Sequence, residues 1–274
     1  MSSLVSTQWL AQNIDRPDLR VIQIDANDLD AYQQGHIPGA IGWFWKEALW
    51  DPFMREFPSQ DDFANRLGKA GIGANTTVVL YGAPVQYGTY AWWVFKMFGH
   101  LDVRILDGGL VKWQDESRPV NTSSPEVAPI TYGSAKPDRK LRTGRDHVLQ
   151  SLDRKNVVIL DHRSLEEYLG DRVNMPGNPD VGAERYGRIP GAIHVPFVSL
   201  LNEDTSFKSP DLLTSIFQPH VRTDETEVIS YCRLSHRATL ACFAMTQILQ
   251  FKNVQVYDGS WAEWGSMVGM PIER

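Results

Sequence analysis

The chain states one pattern twice, in the same order. "VIQIDAND" followed by "GHIPGAIGWF" returns as "VVILDHRS" followed by "GRIPGAIHVPF". "TVVLYGAPVQYGTYAWWVFKMFGH" returns as "EVISYCRLSHRATLACFAMTQILQF", and "VRILDGGLVKW" as "VQVYDGSWAEW". The spacing repeats as well: 6 positions separate Asp107 from Trp113 and Asp258 from Trp264, while 25 separate Gly82 from Asp107 and 26 separate Cys232 from Asp258. Three blocks in one order with matched spacing imply two homologous domains rather than one large one. The second repeat also carries an insertion, "LGDRVNMPGNPDVGAER", between its first two blocks.

Within each repeat, short β-branched runs alternate with helical patterns. "VIQID", "TVVLY" and "VRILD", like "VVILD", "EVISY" and "VQVYD", predict strands. They are apolar runs without strict alternation, which suits a parallel sheet covered by helices on both faces. "YAWWVFKMFG" and "ATLACFAMTQILQ" predict helices that follow such strands, so each repeat is an α/β domain. "PVNTSSPEVAPITYGSAKPDRK" is rich in Pro, Ser and Thr, lacks periodicity, and reads as a linker that can run along the surface of one domain. The expected division is residues 1–120, a linker at 121–141, and residues 142–274.

Composition narrows the function. Of 274 residues, 42% are hydrophobic, enough for sizeable cores, and the net charge is −6. That balance argues against nucleic acid as a partner, which usually meets a basic excess or stripe. The first residues, "MSSLVSTQWLAQNI", lack a basic start and a long apolar run, and no segment has membrane length. Cys232 and Cys242 are the two cysteines, too few for a disulfide framework or a structural zinc site. A reducing, cytoplasmic setting fits them. The seven histidines show no metal-ligand spacing, and no glycine-rich nucleotide loop is present, so neither metal nor organic cofactor is implied.

Cys232 directly follows the strand "EVISY", and in parallel α/β folds ligands bind beyond the carboxyl ends of strands. The next helix begins near Arg237 or Ala238, and its first turn offers unpaired N–H groups and the positive end of its dipole. A tight loop there can turn successive amides inward as an anion nest. Arg233 and Arg237 add formal charge, and His236 can add more. All of these favour the thiolate, the nucleophilic form of cysteine. The charge around Cys232 thus reads as activating a sulfur nucleophile and attracting an anionic partner. Cys242, among "LACFAM", reads as a small core residue. In the first repeat Gly82 stands where Cys232 stands in the second, and its loop "GAPVQYG" has no basic residue, which excludes thiol chemistry there.

With these residues in view, the chain resembles tandem-domain rhodaneses, the thiosulfate sulfurtransferases, over nearly its whole length. The resemblance rests on "GHIPGA" and "GRIPGA", on "DGG" and "DGS" followed by tryptophan, on "LDHRSLEEYLG", and on the loop at Cys232. It implies two rhodanese-like domains, the first catalytically inactive and the second active. It implies a persulfide on Cys232 that carries sulfur from thiosulfate to cyanide or to a thiol, such as that of a thioredoxin-like protein. Substrate contacts would come from Arg163 and from the loop residues Arg233, Leu234, Ser235, His236 and Arg237. Asn27 is the expected counterpart of Arg163 in the first repeat. The common loop of the family is Cys-Arg-Lys-Gly-Val-Thr, and Leu234, Ser235 and Arg237 replace its Lys, Gly and Thr. The mercaptopyruvate-type loop, Cys-Gly-Ser-Gly, lacks the arginine at position 233, which favours thiosulfate over 3-mercaptopyruvate.

A Cys-x5-Arg phosphatase loop needs its arginine six positions after the cysteine. Here that position is Ala238, and Arg237 stands at five. A non-enzymatic sulfur-carrier or regulatory module is the remaining rival, and retention of Cys232 with its basic loop argues against it. Other notable residues have structural readings. His36 and Arg188 fix the two G-x-I-P-G-A turns or pair with a carboxylate, Asp25 and Asp161 end strands and cap or salt-bridge there, and Asp107 and Asp258 serve turns. Trp113, Trp261 and Trp264 pack in the cores.

Overall fold

Two sheets, not one, organise the chain. The computed structural model describes residues 2–133, 135–173, 182–221, 223 and 225–274. The central part of the insertion, residues 174–181, lies outside the described residues. In the first sheet the strands are β1 (Leu4–Val5), β2 (Leu19–Asp25), β3 (Ala40–Phe44), β4 (Thr77–Ala83) and β5 (Val103–Leu106), in the order β1-β5-β4-β2-β3. In the second they are β6 (Arg142–Thr143), β7 (Val157–Asp161), β8 (Ile193–His194), β9 (Glu227–Tyr231) and β10 (Val254–Tyr257), in the order β6-β10-β9-β7-β8. Every pairing is parallel, and the second order repeats the first position by position. The architecture is therefore α/β, two parallel sheets with flanking helices, as the alternating pattern predicts.

The strand residues are almost wholly buried, which is why they read as unbroken apolar runs: every residue of β4 from Thr77 to Gly82 is buried. The helix that follows, Gln86–Met97, is buried at nearly every position from Gly88 to Met97 and is accordingly apolar all round. By contrast the helix Gln60–Lys69 has one buried stripe, is capped by Ser59 accepting from Asp62 N, and carries Asp61 and Asp62 in its first turn with Arg66 and Lys69 in its last. That arrangement complements the helix dipole at both ends. No helix among the described residues is long and apolar enough to cross a membrane.

The chain divides into one unit of Met1–Arg139 with Asn202–Phe207, and a second of Lys140–Leu201 with Lys208–Arg274. In the first unit, the proline- and serine-rich stretch after residue 120 is tied down along its length. Asn121 bridges His36 backbone to backbone, Ile130 N donates to Gly68 O at 2.9 Å, and Asp138 N donates to Met97 O at 2.9 Å. Asn202–Phe207, which sequence order assigns to the second repeat, belongs to this first unit. Phe207 N donates to Asp107 Oδ1 at 2.8 Å, and Lys112 Nζ lies 2.6 Å from Asp204 Oδ2. Asp107 therefore does more than serve its own turn.

Equivalent contacts fix the correspondence between repeats. Tyr81 OH accepts from Ile37 N and Tyr231 OH from Ile189 N, so Tyr81 matches Tyr231 and Gly82 matches Cys232. Tyr32 OH donates to Ala40 O and Tyr168 OH to Ala192 O. His36 stacks on Tyr32 and Arg188 lies over Tyr168, so both turn residues hold a tyrosine in place. Trp113 Nε1 donates to Pro119 O, and Trp264 Nε1 to Pro271 O. Register then corrects one expectation. Tyr81 pairs with Gln23, whereas Tyr231 pairs with Asp161. Gln23 is thus the counterpart of Asp161, and Asp25, not Asn27, is the counterpart of Arg163. The strand-ending Asp25 and Asp161, alike in the motif, stand two residues apart in register.

Candidate active site

The second unit gathers the expected residues at the carboxyl ends of β7 and β9. Cys232 immediately follows β9 and is 1% exposed. The helix after it runs from His236 to Phe243, and Ser235 is its N-cap residue in the left-handed region, with φ 74°. Glycine is the ordinary occupant of such a conformation. Ser235 takes it with compensation: its hydroxyl contacts Asp258 O at 2.7 Å and Asp258 Oδ1 at 2.8 Å. Arg142 Nη2 in turn donates to Asp258 Oδ2 at 2.9 Å. Asp258 is thus a buttress of the cysteine loop, a role beyond the turn that the sequence suggests.

A second left-handed serine stands on the other side of Cys232. Ser260 has φ 51°, and its oxygen accepts from Cys232 N at 3.3 Å while its hydroxyl donates to Tyr257 O at 2.8 Å. Trp261 N donates to Cys232 O, and Ala262 N to Arg233 O. The backbone on both sides of the thiol is therefore fixed. The first-turn amides of the helix lack intrahelical acceptors and supply the positive end expected beside an anion. Arg233 and Leu234 are partly exposed, whereas Ser235, His236 and Arg237 are buried.

The arginines are not bare charges. Arg237 Nη1 and Nη2 donate to Glu167 Oε2 and Oε1 at 2.7 and 2.9 Å. Burial opposes the charge of Arg237, but Glu167, Cys232 and Asp161 overcome that cost and hold its pKa above the ordinary value. Burial likewise opposes the charge of Glu167, yet Arg237 holds its carboxyl down at about 2. Arg163 is fully buried. Its Nε and Nη2 donate to the Asp161 carboxylate, Nη2 also to Gly187 O at 2.8 Å, and its guanidinium lies 4.6 Å from the Trp261 ring centroid. Arg163 Nη1 has no hydrogen-bond partner among the described residues. Tyr231 donates to Asp161 as well, and burial raises its phenol well above the usual range. Two guanidinium groups are therefore matched by two carboxylates, and the two buried pairs carry no net charge between them. Cys242 is fully buried, and burial pushes its thiol up to about 12, as suits a core residue.

Sequence reading singles out the thiol and the arginines and gives Asp161 a salt bridge, which it makes with Arg163, but it misses Glu167 and Ser260 and gives Asp258 only a turn. One signal was available for Glu167. Ser164-Leu165-Glu166-Glu167 has capping-box spacing, and the structure forms that box on the helix Leu165–Leu169.

The Rhodanese-like domain profile matches residues 6–116 and again 145–267. The chain belongs to the rhodanese family. Its relatives share the full length of this tandem rhodanese. "Sulfur carrier protein TtuD" of Thermus thermophilus is 39% identical, covering 99% of this chain and 96% of that protein. "Putative thiosulfate sulfurtransferase" of Mycolicibacterium smegmatis is 40% identical, covering 98% and 97%. Among solved structures, EanB in complex with ergothioneine superposes with a TM-score of 0.87 at 25% identity, covering 99% of this chain and 70% of that one. The activity of the protein is sulfur transfer of the rhodanese type.

Proposed function

We propose that this rhodanese moves sulfane sulfur from thiosulfate to a thiophilic acceptor, cyanide or a thiol, through a persulfide on Cys232. The Cys232 thiolate attacks the outer sulfur of thiosulfate. The S–S bond of the donor breaks, sulfite leaves with its electron pair, and the enzyme keeps a persulfide anion. An acceptor then takes the outer sulfur and restores the thiolate. A covalent intermediate divides one difficult transfer into two easier ones.

The observation that carries this reading is a buried thiol just before a helix N-terminus and within electrostatic reach of the Arg237 guanidinium. Such a setting favours a sulfur anion before and after transfer. The 1% exposure of Cys232 suits a donor that presents one sulfur atom rather than a bulky group. In the same reading Arg233 binds the sulfonate, Leu234, Ser235 and His236 shape the loop around it, and the unfilled Nη1 of Arg163 supplies a further donor. The 39% identity to a named sulfur carrier favours a second role for the same persulfide, as cargo for a protein acceptor such as a thioredoxin-like thiol.

Intact-mass analysis after thiosulfate treatment tests the proposal. The expected result is a gain of about 32 Da that cyanide removes and that is absent from Cys232→Ser, since the sulfur remains covalently on the nucleophile. A gain from 3-mercaptopyruvate but none from thiosulfate would replace the donor. Sulfur loading with no thiocyanate formed, but with transfer to a protein thiol, would favour the carrier role.

A further inference from the structure

Glu167 has no part in the chemistry described so far, yet it is 1% exposed and holds Arg237, whose charge interacts with Cys232. Its Oε2 accepts from both Ser164 N at 3.0 Å and Arg237 Nη1 at 2.7 Å, and its Oε1 accepts from Arg237 Nη2 at 2.9 Å. One carboxylate thus ties the start of the helix Leu165–Leu169 to the first turn of the helix that carries Arg237. A guanidinium has five N–H bonds in a fixed plane, so holding two of them fixes the direction of the other three.

The first repeat lacks the whole device. Counting from the matched tyrosines Tyr32 and Tyr168, Ala31 stands at the place of Glu167. Counting from Gly82 and Cys232, Tyr87 stands at the place of Arg237, and both following helices begin four positions after those residues, at Gln86 and His236. The carboxylate and the guanidinium therefore occur together with the thiol and are absent together without it.

We propose that Glu167 is a positioning residue for sulfur transfer: it aims the free N–H bonds of Arg237 at the Cys232 sulfur and, through its charge, limits how strongly Arg237 favours the thiolate. The inference rests on Cys232 being the nucleophile of the proposed function, but not on thiosulfate being the donor. The other charged or titratable groups of this neighbourhood are Asp161, His162 and Arg163 from the β7 end, Glu166 and Arg172 beside the capping box, and His194. Arg233, His236 and Tyr231 flank the cysteine, and Asp258 with Arg142 stands behind Ser235. Glu167 stays ionised over any working pH range, since its carboxyl is held at about 2.

Two readouts test the proposal: the rate of persulfide formation, and the pH midpoint of Cys232 alkylation by iodoacetamide, which needs no sulfur donor. Glu167→Gln removes the charge and half of the clasp. Its alkylation midpoint should fall by about one pH unit, and persulfide formation at pH 8 should slow by about tenfold or more, mainly in kcat. Glu167→Asp keeps the charge but is one methylene short, so the rate should fall while the midpoint stays at the wild-type value. Arg237→Lys should behave like Glu167→Asp, and it decides the matter if both Glu167 variants fail to fold. Equal slowing in Glu167→Gln and Glu167→Asp with unmoved midpoints would mean a purely structural cap and would overturn the proposal, as would an unchanged rate in Arg237→Lys. If thiosulfate is the wrong donor, wild type also gains no sulfur from it, but the midpoint shifts remain.

Discussion

Two loops of this molecule occupy the same place in the same sheet order, and only one carries a thiol. After β9 comes Cys232, with a serine hydroxyl on either side and two buried ion pairs beneath. After the matching tyrosine in β4 comes Gly82, where a Cβ would lie 2.4 Å from both Gly88 N and Pro84 O. No real Cβ tolerates such contacts with backbone, so the helix start and loop of the first repeat have moved into the space a thiol would fill. Around it, Gln23 donates to Asp25 at 2.6 Å where the second repeat has Asp161 and Arg163. Both repeats supply a strand end and a helix start, and only the second adds the thiol and the two buried ion pairs there. The first repeat lacks that whole set, not the cysteine alone.

The harshest way to break the comparison is to exchange the two positions. Cys232→Ser should abolish sulfur loading completely, read by intact mass. Adding Gly82→Cys to that variant should restore none of it, because the thiol would have no room and no guanidinium partner. Overpacking of this kind costs about 1–3 kcal/mol, so the double variant should also unfold at lower denaturant than Cys232→Ser. Cyanide-labile sulfur on residue 82 would mean that the first loop opens easily and that the cradle is dispensable.

Much of this contrast is legible in the sequence. The repeat is plain because each block couples a buried strand to a turn with fixed glycine and proline positions. The thiol is plain because a cysteine at a strand end followed by basic residues has few structural explanations. What stays hidden has a common cause: Glu167 meets Arg237, and Asp258 meets Ser235, across 70 and 23 residues of chain, and no local pattern encodes such meetings. The misplacement of Asn27 has the same origin. Asp25 and Asp161 look alike as strand-ending residues, but only the pairing with β4 and β9 shows that they differ in register by two positions.

A milder test separates the buried charges of the two halves. Asp161→Asn leaves the guanidinium of Arg163 buried against a neutral amide, a loss of about 3–5 kcal/mol. Gln23→Leu, at the matching site, removes a single neutral donor and should cost about 1 kcal/mol. Denaturant unfolding of both variants checks the difference, and equal costs would mean that the Asp161–Arg163 pair is no more than packing. The acid response sharpens the same contrast. Burial lowers the pKa of His162 from 6.5 to about 4, and its counterpart two residues beyond Ile22 is Ile24, which cannot titrate. A depressed histidine contributes stability that is present above 6.5 and is lost as pH falls toward 4, because the unfolded chain takes up the proton first. The loss over that window is about 3 kcal/mol. Unfolding at pH 7 and pH 4 should show it in wild type, and His162→Gln should lack that part of the decline.

The smallest expected effect concerns backbone shape. Ser260 at φ 51° matches Gly109 at φ 52°, so the two repeats keep one left-handed turn but fill it differently. A side chain in that region costs about 1–2 kcal/mol, and the hydroxyl bonds to Cys232 N and Tyr257 O offset it. Ser260→Gly sheds both the strain and the bonds, whereas Ser260→Ala sheds the bonds and keeps the strain. Glycine should therefore be the better tolerated of the two by about 1 kcal/mol. Both variants should slow persulfide formation alike, since both release the amide of Cys232. If Ser260→Ala proves as stable as Ser260→Gly, the turn is not strained, and serine stands there for its hydroxyl alone. If both variants transfer sulfur at the wild-type rate, the amide of Cys232 needs no anchor, and the difference between the loops narrows to the thiol and its arginine.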